Sequence, residues 1–445
     1  MLIPMQTRLN YCDYIHLLYD SEGYRADDLY RDITLQVTSD CNLRCSYCYE
    51  HHKSNNKMSQ ETAYKIADYL IDSWEKNEPG SFINKHTRFL SIMFIGGEPL
   101  LEADLIDKFC EYFLCQCALR KCPLGEGTRF YFSTNGINFF DDRVQKFIKK
   151  YENFLSISVS LDGIKELHDR YRVDESGAGS FDRAYKAFMS LPHRMTKMTF
   201  VPESFKYVAD SIIFILESGA EAVLANCAYE PYYSPRDGAI LYAQLKKVSD
   251  YLIKNRETRH ISILQDAIGL PANVKAGNYC GGTGKMLTFT PDGKAYPCIR
   301  YAPISIGEEK SKALCIGDFY GIYNTPHTKK IRDYLDEVTM VSQSTEECIN
   351  CPIGLGCGWC SALHYEVYGD VNKRITNICW AHRARVLASC YYFNKAYLEE
   401  NPLVSEPRPI FIQEKVALQI ISKEEWDELK DTEHQALLKY EKLNS

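Results

Sequence analysis

The stretch ITLQVTSDCNLRCSYC, residues 33–48, decides the fold of this chain. Its first part, Ile33–Ser39, is rich in apolar and β-branched residues and predicts a strand buried on both faces. Its second part places Cys41, Cys45 and Cys48 in a loop directly after that strand. Three thiolates at these spacings can wrap one face of a cubane iron–sulfur cluster, which leaves the fourth iron without a protein ligand.

A zinc site is the alternative for these three cysteines. Zinc normally fills four positions, so it would need a further ligand, and His51 and His52 are close in the sequence. A cluster that only transfers electrons normally takes four cysteines. A loop with three cysteines therefore favours a cluster whose open iron binds another molecule.

Five further apolar strands alternate with amphipathic helices after this loop. The predicted strands are Phe89–Ile95, Arg129–Ser133, Leu155–Leu161, Met195–Val201 and Ala222–Tyr229. Repeated strand–helix units of this length predict an α/β fold with a parallel sheet and right-handed crossovers. Six units can form an open sheet or a partial barrel, and in both the chemistry gathers at the carboxyl ends of the strands.

The composition changes near Gly277, where Gly, Pro and Cys become dense and long helical patterns are absent until about Ala381. This pattern is typical of a small domain organised around metal. A charged helix is predicted over Lys423–Leu443, packed on the surface as part of a C-terminal tail.

Composition and charge limit the functions of the chain. It has 445 residues and a net charge of −7, without the basic stripe of a nucleic-acid-binding protein. No apolar run reaches the ~20 residues of a membrane span, and the N-terminus lacks the pattern of a secretion signal. We therefore expect a cytoplasmic protein, in whose reducing compartment the 18 cysteines indicate metal ligation rather than disulfides.

Polar motifs close the next three predicted strands. GGEP at 96–99 follows the second strand; its glycines allow close approach of backbone to a ligand, and its carboxylate suits an ammonium group. STNG at 133–136 follows the third strand. SLDG at 160–163 follows the fourth and precedes HDRYR at 168–172.

The three-cysteine loop and these motifs, in this order, resemble the radical S-adenosylmethionine enzymes. The resemblance implies a partial (β/α)6 TIM-like barrel and a [4Fe–4S] cluster on Cys41, Cys45 and Cys48 whose open iron binds S-adenosylmethionine. It also implies cleavage of that cofactor to a 5′-deoxyadenosyl radical, with an electron donor such as flavodoxin or ferredoxin. The cofactor contacts that it implies are Tyr47, Gly96, Gly97, Glu98, Ser133, Asn135, Ser160 and Arg172.

The later cysteines resemble the C-terminal domain called SPASM, found in peptide- and protein-modifying members of the family. That resemblance implies two auxiliary [4Fe–4S] clusters, three clusters in all. The outer cluster would be held by Cys348, Cys351, Cys357 and Cys379. The inner cluster would be held by Cys280, Cys298 and Cys360, with Cys315 or a non-cysteine group to complete it. Two structural zinc sites are the alternative.

The predicted organisation has four parts. They are an N-terminal lead-in (1–31), the partial barrel (32–255), a small cysteine-rich iron–sulfur domain (256–395) and a C-terminal helical tail (396–445). The remaining cysteines are interpreted as packing residues. They are Cys12, Cys110, Cys115, Cys117, Cys122, Cys227 and Cys390.

The resemblance implies an enzyme that modifies a ribosomally synthesised precursor peptide or a protein. Its 5′-deoxyadenosyl radical would abstract a hydrogen atom from a C–H bond, and a thioether or another crosslink would form. An anaerobic sulfatase-maturing enzyme, which makes formylglycine, is the second hypothesis. Relatives of that kind have an Asp, proposed as general base, where this chain has Ile299, and an Ile cannot accept a proton. The third hypothesis is a non-enzymatic iron–sulfur or zinc scaffold protein.

Overall fold

The computed structural model describes residues 29–265, 268–271, 280–358, 360–402 and 404–444. Residues 1–28, which make up most of the predicted lead-in, and Cys12 with them, lie outside these ranges. The strands are β1 (Tyr30–Thr38), β2 (Phe89–Gly96), β3 (Thr128–Thr134), β4 (Leu155–Ser160), β5 (Met195–Phe200), β6 (Ala222–Cys227), β7 (His260–Ile261), β8 (Met286–Phe289), β9 (Lys294–Tyr296), β10 (Gly317–Asp318) and β11 (Gly321–Ile322).

The helices of seven or more residues are numbered in chain order. They are α1 (Gln60–Lys76), α2 (Ala103–Leu119), α3 (Asp142–Lys150), α4 (Lys165–Tyr171), α5 (Phe181–Ser190), α6 (Val208–Glu217), α7 (Pro235–Lys254), α8 (Pro326–Asp336), α9 (Ser361–Tyr368), α10 (Cys379–Leu398) and α11 (Lys423–Asn444). No helix in the described ranges is long and apolar enough to cross a membrane.

Strands β1 to β6 lie side by side in chain order, and every pairing among them is parallel. This arrangement confirms the predicted α/β class with a partial-barrel sheet. Strand β1 is the most enclosed, since Ile33, Leu35 and Val37 on one face and Thr34 and Gln36 on the other are all buried. The continuous apolar run of β1 is therefore explained by neighbours on both faces.

The other strands alternate in burial. On β2, Ile92 and Phe94 are buried beneath the helices, whereas Met93 between them is 39% exposed. Because successive side chains of a strand point to opposite faces, Met93 lies on the concave face of the sheet. We call the space in front of this concave face of β1–β6 the lumen.

The sheet continues past the predicted boundary at residue 255. Strand β7 adds to β6, and β8 pairs in parallel with β1 on the side away from β2. Strands β9, β10 and β11 then extend the sheet by antiparallel pairings. The cysteine-rich region is thus joined to the barrel by backbone hydrogen bonds beside the three-cysteine loop.

Helix α8, with 11 residues, lies where no long helix was predicted. Thr325 caps its first turn by accepting a hydrogen bond from the Thr328 backbone N–H, and Pro326 occupies the first helical position. Its apolar stripe is narrow, with Ile331 and Leu335 buried, which explains why the hydrophobic pattern gave so weak a signal. The predicted C-terminal helix is present as α11, which packs on α10.

Candidate functional site

The three-cysteine loop is fixed at both ends by backbone contacts. The Cys41 N–H donates to Asp40 Oδ1 at 2.8 Å, immediately after β1. Farther along, the Arg44 N–H donates to the carbonyl of Val173 at 2.7 Å, and the Ser46 N–H donates to that of Tyr171 at 3.1 Å. These two bonds flank Arg172, so the loop and the HDRYR motif are held together by the main chain.

The GGEP motif packs against the same loop because two of its residues lack side chains. A Cβ on Gly97 would stand 2.3 Å from the Asp40 carbonyl oxygen and 2.6 Å from the Cys41 Cβ. A Cβ on Gly96 would stand 2.3 Å from the Thr38 carbonyl oxygen. The end of β2 therefore approaches the cysteine loop more closely than any other residue type allows.

Two cations face the thiols of this loop. Lys53 Nζ lies 3.2 Å from Cys48 Sγ, and Arg172 Nη1 lies 4.0 Å from Cys45 Sγ. Burial raises the pKa of Cys41 to about 12, and burial also raises the pKa of Cys45 against the opposing effect of Arg172. Buried thiols resist ionisation without a partner, so a set of three with facing cations fits a thiolate-ligated, anionic cluster.

The Glu98 carboxylate joins two strand ends. It is almost completely buried; Oε1 accepts hydrogen bonds from Thr134 Oγ1 at 2.7 Å and from the Leu100 N–H at 3.1 Å, and Oε2 accepts one from the Asn135 N–H at 2.8 Å. Burial raises the pKa of Glu98 to about 7 despite these donors. The observed contacts are structural, and the predicted contact with an ammonium group stays a prediction.

Asn135 connects the third strand to the cysteine loop. Its Nδ2 donates to Asn42 Oδ1 at 2.7 Å and lies 4.0 Å from Cys41 Sγ. On the neighbouring strand ends, the hydroxyls of Ser133 and Ser160 are 3.3 Å apart. The structure therefore brings the predicted contacts of β3 and β4 to one edge of the lumen, beside the thiols.

Asp162 organises the fourth strand end. Arg172 Nε donates to Asp162 Oδ2 at 2.8 Å, and the Tyr47 hydroxyl donates to the same oxygen. The Thr199 N–H donates to Oδ1 at 3.0 Å. Although burial alone would raise the pKa of Asp162, the Arg172 guanidinium holds it below its usual value. Arg172 also lies over the Tyr47 ring, 5.3 Å from its centroid.

His168 supports this pair from behind. The Asp162 N–H donates to His168 Nδ1 at 3.3 Å, so the proton of the neutral imidazole is on Nε2. Nε2 donates to Ser180 Oγ at 2.9 Å, and that hydroxyl donates to the Arg172 carbonyl at 2.8 Å. Burial lowers the pKa of His168 to about 4. The chain of bonds fixes both ends of the Asp162–Arg172 pair.

Four later cysteines share one cavity of about 50 Å³, together with two arginines, Arg374 and Arg383. The cysteines are Cys348, Cys351, Cys357 and Cys379. Burial raises the pKa of Cys357 to about 11, against the opposing charge of Arg374. Four thiols and two cations around one cavity fit the outer cluster that the resemblance implied.

Three other cysteines meet at a glycine. A Cβ on Gly282 would stand 3.3 Å from Cys298 Sγ and 3.6 Å from Cys280 Sγ, so the main chain at Gly282 lies close to both thiols. Cys360 interacts electrostatically with both. We call Cys280, Cys298 and Cys360 the inner triad.

Cys315 has different neighbours from the inner triad. Its thiol donates to the carbonyl of Gly317, the first residue of β10, at 3.5 Å. Its role as a further ligand stays a prediction. Within the described ranges, no three His, Cys, Asp or Glu side chains converge closely enough to hold a single metal ion. A cubane cluster differs from such a site because its thiolates bind separate irons.

The packing interpretation of the other described cysteines is confirmed for five of them and is wrong for Cys115. Cys110, Cys117, Cys122, Cys227 and Cys390 belong to the hydrophobic core. Cys115, in contrast, is exposed on α2.

Sequence reasoning gave no role to four residues of these sites. They are Lys53, Asp162, His168 and Gly282. Asp162 and His168 stood inside the quoted motifs, so their position at a strand end was the available signal. The sequence contains no such signal for Lys53 or Gly282, because their contacts depend on how two loops fold.

Residues 35–202 match the family model described as the Radical SAM superfamily, where SAM denotes S-adenosylmethionine. The chain contains a radical SAM domain. The matched range runs from within β1 to the second residue after β5 and includes every strand-end motif described above. The three cysteines and the strand-end motifs around them therefore belong to the radical SAM domain.

Two curated relatives extend the comparison. The chain is 32% identical over 149 residues to a cysteine-type anaerobic sulfatase-maturating enzyme of Clostridium novyi. That alignment covers 33% of this chain and 36% of that protein, less than two thirds of its length. The chain is also 23% identical over 363 residues to AlbA, the antilisterial bacteriocin subtilosin biosynthesis protein of Bacillus subtilis, covering 78% of this chain and 70% of that protein.

A solved structure shares the fold over most of the chain. It is described as native anSMEcpe with bound AdoMet and Cp18Cys peptide, and it matches with a TM-score of 0.57 at 16% identity. The match covers 84% of this chain and 99% of that one. At this identity the likeness shows the fold, which here extends beyond the radical SAM domain into the cysteine-rich region.

Proposed function

We propose that this protein is a radical S-adenosylmethionine enzyme that modifies a side chain of a peptide or protein. One observation carries the proposal: the thiols of Cys41, Cys45 and Cys48 lie at the strand end where the polar motifs of β2, β3 and β4 also gather. A site that held only a structural metal would need the thiols and not the motifs. When bound, the cluster and S-adenosylmethionine supply hydrogen-atom abstraction from the substrate.

In this proposal the cysteines of the loop and the cations that face them have different roles. Cys41, Cys45 and Cys48 hold the cluster, and Lys53 and Arg172 offset the negative charge of its thiolates. Their positive charges remain in place with or without a ligand. The site is therefore prepared for an anionic group before the group arrives.

The strand ends supply cofactor contacts in this proposal. The hydroxyls of Ser133 and Ser160 face the lumen and can donate to and accept from a ribose. Gly96 and Gly97 bring main-chain groups next to the cysteine loop. Asp162 positions Arg172 and the Tyr47 ring against that loop, where Tyr47 would lie beside the adenine.

The auxiliary clusters are part of the proposal. Cys348, Cys351, Cys357 and Cys379 would hold the outer one, because they surround a single cavity with two arginines. The inner triad would hold the other through three thiols. Clusters held there would supply a site that accepts the electron left after hydrogen abstraction, or an open iron for a substrate thiolate.

Within this class we propose a maturase of a ribosomally synthesised precursor peptide that forms a thioether or another crosslink. The similarity to AlbA over 78% of the chain supports a peptide substrate. The similarity to a sulfatase-maturating enzyme covers 33% of the chain. Formylglycine synthesis is disfavoured because Ile299 offers no base beside the inner triad.

Mass spectrometry of candidate peptides tests this assignment. Reconstituted protein is incubated anaerobically with S-adenosylmethionine, a reductant and each short Cys-containing peptide encoded near its gene. Thioether formation is expected to remove two hydrogen atoms and to protect the cysteine from alkylation. Exchange of the thiol sulfur for an aldehyde oxygen would instead indicate formylglycine and overturn the crosslink proposal.

A further inference from the structure

Lys197 is a cation on the lumen side of the sheet. It lies on β5, where the register pairs it with Ser160 of β4 and Leu224 of β6. Paired residues of neighbouring parallel strands point to the same face, so Lys197 shares the lumen face with Ser160. Its neighbours Thr196 and Met198 are fully buried on the opposite face, whereas Lys197 is open to solvent in the lumen.

Two other cations around the lumen are paired with carboxylates, whereas the described residues give Lys197 no such partner. Arg172 is paired with Asp162 at 2.8 Å, and Arg300 is paired with Glu230 at 2.6 Å. Within the described ranges the Lys197 ammonium group has no hydrogen bond and no ion pair within 4.0 Å, and Glu50, whose charge reaches it, forms neither with it. The lumen therefore holds one ammonium group without a direct ionic partner, on which Glu50 and Cys48 act only at longer range.

Protein encloses this charge on several sides. Desolvation by the surrounding walls of the lumen, followed by repulsion from Arg172, lowers the pKa of Lys197. Arg300 also contributes to this repulsion, so the two cations stand near one another. An anion bound between them would relieve the repulsion, and its attraction to Lys197 would be weakly screened inside the lumen.

Arg300 is held by its neighbours at a position where it can help Lys197 to bind an anion. Its guanidinium lies over the Tyr49 ring at 4.3 Å and is 5.9 Å from the centroid of Tyr229. Its Nη2 donates a hydrogen bond to Glu230. Within the described ranges, this is the one hydrogen bond that the guanidinium group makes. Arg300 also interacts with Cys360 of the inner triad, so it lies between that triad and the three-cysteine loop that carries Tyr49.

We propose that Lys197, with Arg300 beside it, forms a carboxylate-binding subsite in the lumen for an acidic group of the substrate. The inference rests on the proposed function and adds to it a chemical class of substrate. A single ammonium group without a direct ionic partner suits a monoanion such as a carboxylate better than a phosphate dianion. The carboxylate is that of an Asp or Glu side chain or that of a peptide C-terminus.

Binding of three short peptides to the reconstituted full-length protein, with S-adenosylmethionine present, tests the subsite. The peptides are acetyl-Gly-Glu-Gly-amide, acetyl-Gly-Gln-Gly-amide and acetyl-Gly-Gly-Gly with a free C-terminus. The Glu peptide is expected to bind about tenfold or more tightly than its Gln counterpart, because a charge-assisted hydrogen bond contributes this much. Tight binding of the third peptide would identify the C-terminus as the source of the carboxylate.

Variants assign the effect to Lys197. Lys197→Met is expected to abolish the preference for Glu over Gln, and Lys197→Arg is expected to keep it. Lys247→Met, an exposed lysine on α7, is the matched control and is expected to leave the preference unchanged. Equal affinity of wild-type protein for all three peptides, or no binding of any, overturns the subsite. So does a Lys197→Met variant that loses S-adenosylmethionine affinity and keeps the peptide preference.

Failure of the subsite and failure of the proposed function give different results. Formation of 5′-deoxyadenosine from S-adenosylmethionine is measured in the same preparations without peptide. If it forms and the carboxylate preference is absent, the subsite is wrong and the radical chemistry stands. If none forms in wild-type protein, the proposed function fails whatever the peptides do.

Discussion

Arg172 and Asp162 form a buried ion pair at the edge of the lumen, with 2.8 Å between Arg172 Nε and Asp162 Oδ2. The pair joins the end of β4 to the segment around Arg172. That segment in turn holds the three-cysteine loop through main-chain hydrogen bonds. The Tyr47 hydroxyl donates to the same carboxylate oxygen. A change at Asp162 should therefore affect both folding and the cysteine loop.

Asp162→Asn is expected to destabilise the protein by about 3–5 kcal/mol, because it leaves the buried Arg172 charge without its partner. Urea unfolding under anaerobic conditions measures the change. The matched control is Asp182→Asn, which removes an exposed partner of Lys165 and is expected to cost at most about 1 kcal/mol. Equal losses in the two variants would show that the buried pair has no special role.

His168 gives stability a defined pH dependence. Its folded pKa of about 4 is below the unfolded value of about 6.5, because burial disfavours the charged imidazole. Its contribution is therefore complete above pH 6.5 and is lost as the pH falls from 6.5 towards 4, by about 3 kcal/mol in total. Unfolding of wild-type protein and His168→Gln is measured across this range. If both lose stability in parallel, His168 is not the group that titrates.

Gly97→Ala is expected to prevent assembly of the first cluster. The new Cβ would stand 2.3 Å from the Asp40 carbonyl oxygen, so the cysteine loop must shift. Iron content and visible absorbance after reconstitution measure the loss. Gly177→Asn changes a left-handed glycine with open space around it and is expected to keep the full iron content. Normal iron content in Gly97→Ala would mean that the loop tolerates the shift.

Cys351→Ala is expected to remove about four of about twelve bound irons, the content of one [4Fe–4S] cluster. Formation of 5′-deoxyadenosine should persist, because the first cluster has its own three cysteines. Cys115→Ala, on an exposed cysteine, is expected to change neither quantity. Unchanged iron content in Cys351→Ala would argue against an outer cluster.

The sequence was sufficient to predict the strands of the barrel and the positions of the motifs at their ends. Strands such as Met195–Val201, predicted from an apolar run, appear within a residue as Met195–Phe200. Burial of one face of the sheet against helices imposes a periodic pattern of apolar residues, which can be recognised within a short stretch of sequence. Because strand ends of a parallel sheet meet at one edge, the motifs could also be placed together in advance.

Contacts that depend on distant segments could not be predicted. The pairing of β8 with β1 joins residues about 250 positions apart, and no local pattern encodes it. Lys53 reaches Cys48 only through the fold of its loop. The exposure of Lys197 to the lumen follows from the register of β5, which a single strand sequence does not fix.

The central claim is that Cys41, Cys45 and Cys48 carry a cluster that cleaves S-adenosylmethionine. The most direct measurement is the amount of 5′-deoxyadenosine formed by anaerobically reconstituted protein with S-adenosylmethionine and dithionite. Wild-type protein and Cys115→Ala are expected to form it, and the triple variant with alanine at all three cysteines is expected to form none. Equal amounts from wild-type protein and the triple variant, or none from wild-type protein, would contradict the claim.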